Sequence, residues 1–460
     1  MIVELEKSYI TDNSNECKKG CYFLKTQMNA KYEADAIDNG AIIIDEAKAR
    51  ELLKINNDIK VIGITGTNGK TTTAAAIYSM LLDLGKKVFL CGTRGAFCND
   101  ERVASKTLTT GFLLELLYYL QIATKNNCEY FVMEVSSHAI YQNRTGNIKF
   151  AAKIYTNITQ DHLDYHKTFE NYAECKASFF QDETLKIINQ DAYKFNYNVK
   201  GAITYGIDNP ALYSVKAFTL NNGIDAVFTT QNKAYEISSS LNGIFNIYNL
   251  LAAFACVNEL VKPNKEDLEK AVSNFAGVLG RMQNVANDEN RNIIVDFAHT
   301  PDGIKNVLDA MKHKDLIVVV GAGGNRDRTK RTPMAKIAIH YAKKVILTSD
   351  NPRDEEPINI INDMIEGLNE NELKKVTIVV DRRMAIFKAL EAQKNDECVM
   401  ILGKGDEDYQ EIKGQKIPFQ DVLVVQDCLN ELKQLKEKRI AKGSYVWFIK
   451  NARNATRCSS

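Results

Sequence analysis

Residues 60–85 read KVIGITGTNGKTTTAAAIYSMLLDLG. KVIGIT is a continuous apolar run of the kind that forms a strand buried on both faces. TTTAAAIYSMLLDLG has the composition of a helix, and a second apolar run, KVFLCG, follows at 87–92. Strand, loop, helix and strand in this order predict a βαβ unit and therefore a parallel sheet. The loop itself is informative. Gly66 and Gly69 let the backbone turn tightly enough for successive N–H groups to converge on an anion. Lys70 adds a point charge for the β- and γ-phosphates, Thr71 offers a hydroxyl to Mg2+, and the N-terminus of the following helix favours negative charge. Thr67, Asn68 and Thr72 complete the expected nucleotide contacts. The strict GxxxxGK[ST] spacing would put a glycine where Ile64 stands, so the loop is a shorter variant. A nucleoside triphosphate is expected here rather than an empty glycine turn.

The same pattern continues in both directions. EYFVMEV (129–135) and AKIYTNI (152–158) are further buried-strand candidates, and AIIIDEAKARELLK (41–54) reads as a short strand and a helix. RNIIVDFAHTPDGIKNVLDAM (291–311) opens another strand–turn–helix region. It continues through LIVVVGAGG (316–324), KKVILTSD (343–350), KVTIVVD (375–381) and CVMILGKG (398–405). These strands end in Gly or Asp, where open α/β sheets carry their ligand loops. A dinucleotide fingerprint at 321–326 fails, because its third glycine position holds Arg326. The expected architecture is α/β in three domains: 1–58, 59–282 and 283–460. The central one is a P-loop-type, mostly parallel sheet with flanking helices, and the last is Rossmann-like.

Of the 460 residues, 59 are Lys or Arg and 58 Asp or Glu, a net charge of +1. That balance gives no overall field to recruit nucleic acid or an anionic membrane. The N-terminus MIVELEKSYI lacks the apolar core of a secretory signal, and no run approaches the roughly 20 apolar residues of a membrane span. The ten cysteines are scattered without a CxxC pair, which fits reduced thiols in a cytoplasmic protein.

TGTNGKT at the end of a strand resembles the ATP loop of the Mur ligase superfamily, which also includes folylpolyglutamate and cyanophycin synthetases. Seven further motifs follow in that family's order: EVSSH (134–138), TNITQDHLDYH (156–166), GIFNIYN (243–249), DFAHTPD (296–302), GAGGNRDRTKR (321–331), DNPRDEEP (350–357) and GKGDEDYQ (403–410). They resemble the tripeptide-forming branch over nearly the whole chain, most weakly over 1–58.

The resemblance implies an ATP-dependent amide-bond synthesis in cytoplasmic peptidoglycan precursor formation. The carboxylate of UDP-MurNAc-L-Ala-D-Glu is phosphorylated, and an amine then displaces the phosphate. Two anions must meet, so cations are required. By resemblance Glu134 and His162 approach Mg2+, two ions in the family, and Lys176 becomes a carbamate between them; from sequence alone Lys176 is an ordinary helix-surface lysine. Asn249 resembles the adenine-side asparagine, Arg281 an arginine that reaches the γ-phosphate on domain closure, and Asp296 a ribose contact. Thr109, Thr110, Ser136, Gln142 and Arg144 match positions that hold the muramoyl-peptide. Ser14 matches a uridine contact, although the family's DSR reads Asn13-Ser14-Asn15 here.

Asp350, Asn351, Pro352 and Arg353 form the DNPR sequence that the family uses for meso-diaminopimelate. Arg353 is a planar fork suited to a carboxylate, and Asn-Pro is also a good turn, a suitable mount for it. Arg326 resembles a second carboxylate contact, while Gly403 and Glu407 match groups at the ligand's distal end. Asp406 stands where the family commonly has His. The resemblance implies a monomer acting on small molecules. A folylpolyglutamate synthetase-like ligase and a catalytically silent nucleotide-binding protein are the alternatives.

Overall fold

The computed structural model describes residues 1–437 except 106–107, 221–222, 232 and 290, so residues 438–460 of the expected third domain lie outside the described residues. The chain forms two compact units, divided between Val278 and Leu279.

The first unit begins with a small sheet of β1 (Ile2–Glu4), β2 (Tyr9–Thr11), β3 (Tyr22–Leu24) and β4 (Ile42–Ile44) in that spatial order. One of its faces has a minor core of Cys17, Cys21, Phe23 and Ala36. Its other apolar residues, among them Val3, Ile10, Leu24 and Ile44, share a larger core with the helix Leu113–Lys125 and the main sheet. A segment of fewer than sixty residues is marginal on its own, and this one completes its core against its neighbour.

The main sheet has eleven strands: β5 (Lys60–Thr65), β6 (Val88–Gly92), β7 (Gly95–Cys98), β8 (Glu101–Ala104), β9 (Tyr130–Glu134), β10 (Phe150–Tyr155), β11 (Leu185–Asn189), β12 (Ala202–Gly206), β13 (Tyr213–Thr219), β14 (Ile224–Thr230) and β15 (Lys233–Ser239). Their order is β15-β14-β13-β12-β11-β10-β5-β9-β6-β7-β8. Strands β13 to β6 in that order are parallel, and antiparallel pairs extend both edges. The expected KVIGIT strand is β5, at the centre. Helices Lys70–Asp83, Ile244–Val261 and Lys265–Asn274 cover one face. Ile244–Val261 is long and apolar enough to cross a membrane, but it packs in this core, with Ile247 and Leu250 through Cys256 fully buried.

The second unit holds a six-stranded sheet of β16 (Gln283–Asn284), β17 (Asn292–Asp296), β18 (Asp315–Val320), β19 (Lys344–Leu347), β20 (Val376–Ile378) and β21 (Glu397–Leu402), ordered β16-β17-β21-β18-β19-β20. All are parallel except β16. A hairpin, β22 (Tyr409–Ile412) and β23 (Gln415–Pro418), follows. The four apolar runs anticipated after residue 315 are β18, β19, β20 and β21. A fully buried ion pair, Arg382 to Asp421 at 2.6 Å, ties the helix Arg382–Ala392 to the C-terminal helical stretch 421–437.

Candidate functional site

In the first unit, register brings the carboxyl ends of three strands together: Ile64 of β5 lies opposite Glu134 of β9, and Thr65 opposite Tyr155 of β10. The glycine loop leaves β5 at this edge. Gly69 has φ +85°, a left-handed conformation that disfavours any side chain. Helix Lys70–Asp83 starts directly after it, with the Thr73 amide donating to Gly69. The amides of Thr71 and Thr72 have no preceding helical carbonyl, and the helix N-terminus is electropositive.

The segment 156–159 braces the loop. Thr156 Oγ1 donates to the Asn68 carbonyl at 2.6 Å, Asn157 pairs with Asn68 through both its side-chain oxygen and nitrogen, and the Thr67 amide donates to the Asn157 carbonyl. Lys70 Nζ reaches the carbonyls of Gly66 and Thr67, both at 2.9 Å. Asn249, buried in the helix Ile244–Val261, meets the loop from behind. Its Oδ1 accepts from Thr73 at 3.3 Å and its Nδ2 donates to Asn246, so here it supports the loop.

Glu134 is 2% exposed, yet its donors are all neutral: Thr71 Oγ1 at 3.0 Å, and the Thr93 amide and hydroxyl at 2.9 and 3.2 Å. A buried carboxylate is costly without compensation, and these hydrogen bonds leave its negative charge available to a cation. Thr93 was missed in the sequence because its link to Glu134 spans 41 positions; its hydroxyl also lies 3.2 Å from that of Thr109.

Lys176 departs most from its sequence reading as a surface residue. It is 1% exposed on the helix Phe169–Ser178, with Nζ 3.0 Å from the Gly66 carbonyl and 4.9 Å from the centre of the Tyr172 ring. Burial, and secondly the charge of Lys70, push its pKa well below the ordinary lysine value. The amine is thus held toward its neutral, nucleophilic form. His162 sits at φ +54°, half-exposed, before the short helix Leu163–His166. Desolvation lowers its pKa; Asp161 opposes this, while His138, Lys70 and Lys176 add to it. Its ring lies 4.9 Å from that of His138, and His166 is buried against Ser137 Oγ at 3.0 Å. Among the described residues no three His, Cys, Asp or Glu side chains form a metal cage.

The residues expected to hold the precursor form a chain of hydrogen bonds leading away from Glu134. Thr110 Oγ1 donates to the Glu134 carbonyl and accepts the Ser136 amide, Arg144 donates to the Thr110 carbonyl and to Gln142 Oε1, and Gln142 donates to Tyr165. A cleft of about 340 Å3 contains Gln142 and Arg144 and shares Thr26, Leu113 and Asn143 with a larger one of about 760 Å3, bordered also by Lys25 and Glu46. Ser14 lines neither; it is buried, with its carbonyl accepting from Asn39.

In the second unit, Asp296 is buried and accepts the amides of Met282 and Ala298, while the Arg281 guanidinium stacks 4.6 Å from the Phe297 ring. Burial raises the Asp296 pKa, with Arg281 opposing. The loops after β18 and β19 lie together. Arg353, at φ +51°, donates to the Gly324 carbonyl at 2.7 Å and pairs with Glu411 at 3.2 Å. A Cβ on Gly323 would meet Arg353 Nη1 at 3.1 Å and Arg326 Cγ at 3.6 Å, so both arginines border this glycine. Pro352 and buried Asn351 carry the turn, and Gly403, at φ +114°, packs against buried Asp350. Glu407 is met by Lys404 at 2.8 Å and by Asn351 at 2.8 Å. Lys404, fully buried, was not among the expected site residues.

Comparisons with known proteins show the family. The Mur ligase middle domain matches residues 64–257, and the Mur ligase glutamate ligase domain matches 280–405. A Wolinella succinogenes protein named UDP-N-acetylmuramoyl-L-alanyl-D-glutamate–2,6-diaminopimelate ligase is 46% identical over 94% of this chain and 98% of its own length. The chain belongs to the Mur ligase family. Another member with the same name, from Helicobacter pylori, is 44% identical over 93% of this chain and 97% of its own. A solved structure of such a diaminopimelate ligase superposes with a TM-score of 0.65 at 30% identity, covering 92% of this Mur ligase and 95% of that chain. A Mycobacterium tuberculosis folylpolyglutamate synthase shares the fold, with a TM-score of 0.63 at 16% identity over 78% of this chain and 91% of its own.

Proposed function

We propose that the chain is an ATP-dependent ligase that joins 2,6-diaminopimelate to UDP-N-acetylmuramoyl-L-alanyl-D-glutamate in peptidoglycan precursor synthesis. The observation that carries this is the 46% identity sustained over 94% of the chain to a ligase so named. In this reading a precursor carboxylate oxygen attacks the γ-phosphorus of ATP and ADP leaves. The amine nitrogen of diaminopimelate then attacks the carbonyl carbon of the acyl phosphate, losing a proton, and phosphate leaves.

The chain's part is to gather and neutralise anions. Residues 66–72 cradle the phosphates, with the helix N-terminus and Lys70 supplying positive potential. Asn249 holds the loop, while Arg281 and Asp296 are nucleotide contacts in this reading. Thr71, Glu134 and His162 would hold Mg2+, and the neutral donors around buried Glu134 fit that role. When bound, the metal offsets phosphate charge. Lys176 is fitted to carbamate formation by its burial and its depressed basicity: the product is an anion, which suits a metal ligand better than an ammonium does.

Thr109, Thr110, Ser136, Gln142 and Arg144 hold the peptide part of the precursor, and the clefts beside the small N-terminal sheet take the UDP end. Arg326 and Arg353 grip carboxylates of the amino acid within the Asp350–Arg353 turn, while Gly403 and Glu407 bound its distal end. The enzyme acts in this reading as a cytoplasmic monomer on small molecules. The test is phosphate release from ATP across an amino-acid panel with the UDP-dipeptide. Turnover should require meso-diaminopimelate; equal turnover with lysine, or release driven by a folate instead, refutes it.

A further inference from the structure

Arg331 opens the helix Arg331–Tyr341 with only 1% of its surface exposed. Its guanidinium is shared among three partners. Nη1 and Nη2 donate to the two oxygens of Glu355 at 2.9 and 2.7 Å, Nη1 also meets Asp363 at 2.6 Å, and Nη2 reaches the Gly323 carbonyl at 3.2 Å. Gly323 and Glu355 belong to the loops that carry Arg326 and Arg353 respectively.

Glu355 continues the bridge. Its Oε1 also accepts the amide of Asn325, the residue before Arg326, at 2.6 Å. Asn325 Nδ2 donates to Asp354 at 2.6 Å, the Gly324 amide donates to the Asn351 carbonyl at 2.9 Å, and Arg353 itself donates to Gly324. The two loops are therefore stitched along their length, and Arg331 lies beneath the seam. Only a planar fork with several fixed donors can serve Glu355 twice, Asp363 and a carbonyl at once; a lysine ammonium cannot reproduce that geometry. The Arg331 hydrogen bonds hold the Glu355 carboxyl down to about 2, so the bridge stays ionised at working pH.

We propose that Arg331, acting through Glu355, is a positioning residue that fixes the spacing of Arg326 and Arg353 and so sets the preference for an amino acid bearing a second carboxylate. This rests on reading those two arginines as carboxylate contacts. A displacement of about 1 Å in a clamp of this kind costs much of its binding.

The test uses the full chain in the phosphate-release assay, with meso-diaminopimelate and lysine as varied substrates and thermal melting measured alongside. Arg331→Lys and Glu355→Gln should each raise KM for diaminopimelate about tenfold or more, equivalent to about 1.4 kcal/mol. KM for ATP and for the UDP-dipeptide should stay within about twofold, and the preference for diaminopimelate over lysine should fall with the KM change. Because the effect runs through Arg353, Arg331→Lys should add little to Arg353→Gln. If Arg331→Lys does not fold, Glu355→Gln, which leaves Arg331 paired with Asp363 and Gly323, carries the same readout. A lower melting point or kcat without a change in diaminopimelate KM or preference, or additive effects in the double variant, overturns the proposal. If Arg326→Gln and Arg353→Gln themselves leave that KM unchanged, the reading of the amino-acid site fails, and the proposal with it. If they raise it while Arg331→Lys and Glu355→Gln do not, only the positioning role fails.

Discussion

Glu134→Gln separates function from stability. The carboxylate is 2% exposed and is satisfied by three neutral donors, Thr71 Oγ1, Thr93 N and Thr93 Oγ1. Glutamine has the same shape. Its carbonyl can keep the Thr93 amide bond, and its NH2 can donate to a hydroxyl that rotates to accept. Each of the three charge-assisted bonds, worth about 1.5–3 kcal/mol, becomes a neutral one of about 1 kcal/mol, but the cost of burying a charge, of order several kcal/mol, disappears. These terms nearly cancel, so metal-free unfolding free energy should change by less than about 1 kcal/mol. Towards a cation the terms do not cancel. A unit-charge pair about 4 Å apart contributes about 4 kcal/mol at an effective dielectric constant of 20. Even half of that per unit of charge, acting on a divalent ion, predicts a loss of at least about 100-fold in kcat/KM. Urea unfolding in EDTA and phosphate release across a Mg2+ titration give the two numbers. Activity within about threefold of the parent at every Mg2+ concentration, or destabilisation beyond about 3 kcal/mol, would refute the assignment of Glu134 as a charge kept for a cation.

Other consequences follow from individual residues. Lys176→Ala should abolish turnover and regain part of it with short-chain carboxylates; no rescue, together with no 13C-carbamate signal in the parent, rules the carbamate out. Carbamate forms on the neutral amine, and the Lys176 pKa is lowered by burial and by Lys70. Bicarbonate should therefore reactivate CO2-depleted enzyme at about pH 8, below the ordinary lysine value, and reactivation should fade as pH falls and the amine protonates. Gly69→Ala places a Cβ at φ +85° against the Asn249 amide. It should cost about 1–2 kcal/mol in backbone strain and weaken ATP binding about tenfold or more, with partial relief from Asn249→Ala; unchanged ATP affinity argues against this loop geometry. Glu355 has a folded pKa lowered to about 2 from 4.5, so its pairing stabilises the protein above the unfolded value and is lost as pH falls from about 4.5 toward 2. The stability gap between parent and Glu355→Gln should close over that window; a constant gap contradicts the ion pair.

Much of the candidate site is legible in the sequence because its chemistry is local. A glycine loop between an apolar strand and a helix can be read from some twenty consecutive residues, and DNPR carries both its turn and its guanidinium in four. The strands beyond residue 290 were legible for the same reason, since parallel strands buried on both faces are continuous apolar runs. The resemblance implies residue roles that composition and periodicity do not, that of Lys176 above all.

The sequence by itself determined the strand–loop–helix elements, the phosphate-type loop, the α/β class and the family. Tertiary structure alone decided which charged groups are buried and what faces them. Lys176 has the local pattern of a solvated helix residue, and only the packing of its helix against β5 and the loop makes its amine a poor base. Glu134 depends on Thr71 and Thr93, which lie 63 and 41 positions away. Arg331 has meaning only where two loops meet. The small N-terminal sheet looked separate in the sequence, yet it shares its core with the helix Leu113–Lys125. Local propensity follows from neighbours in the chain, whereas burial and electrostatic environment follow from neighbours in space.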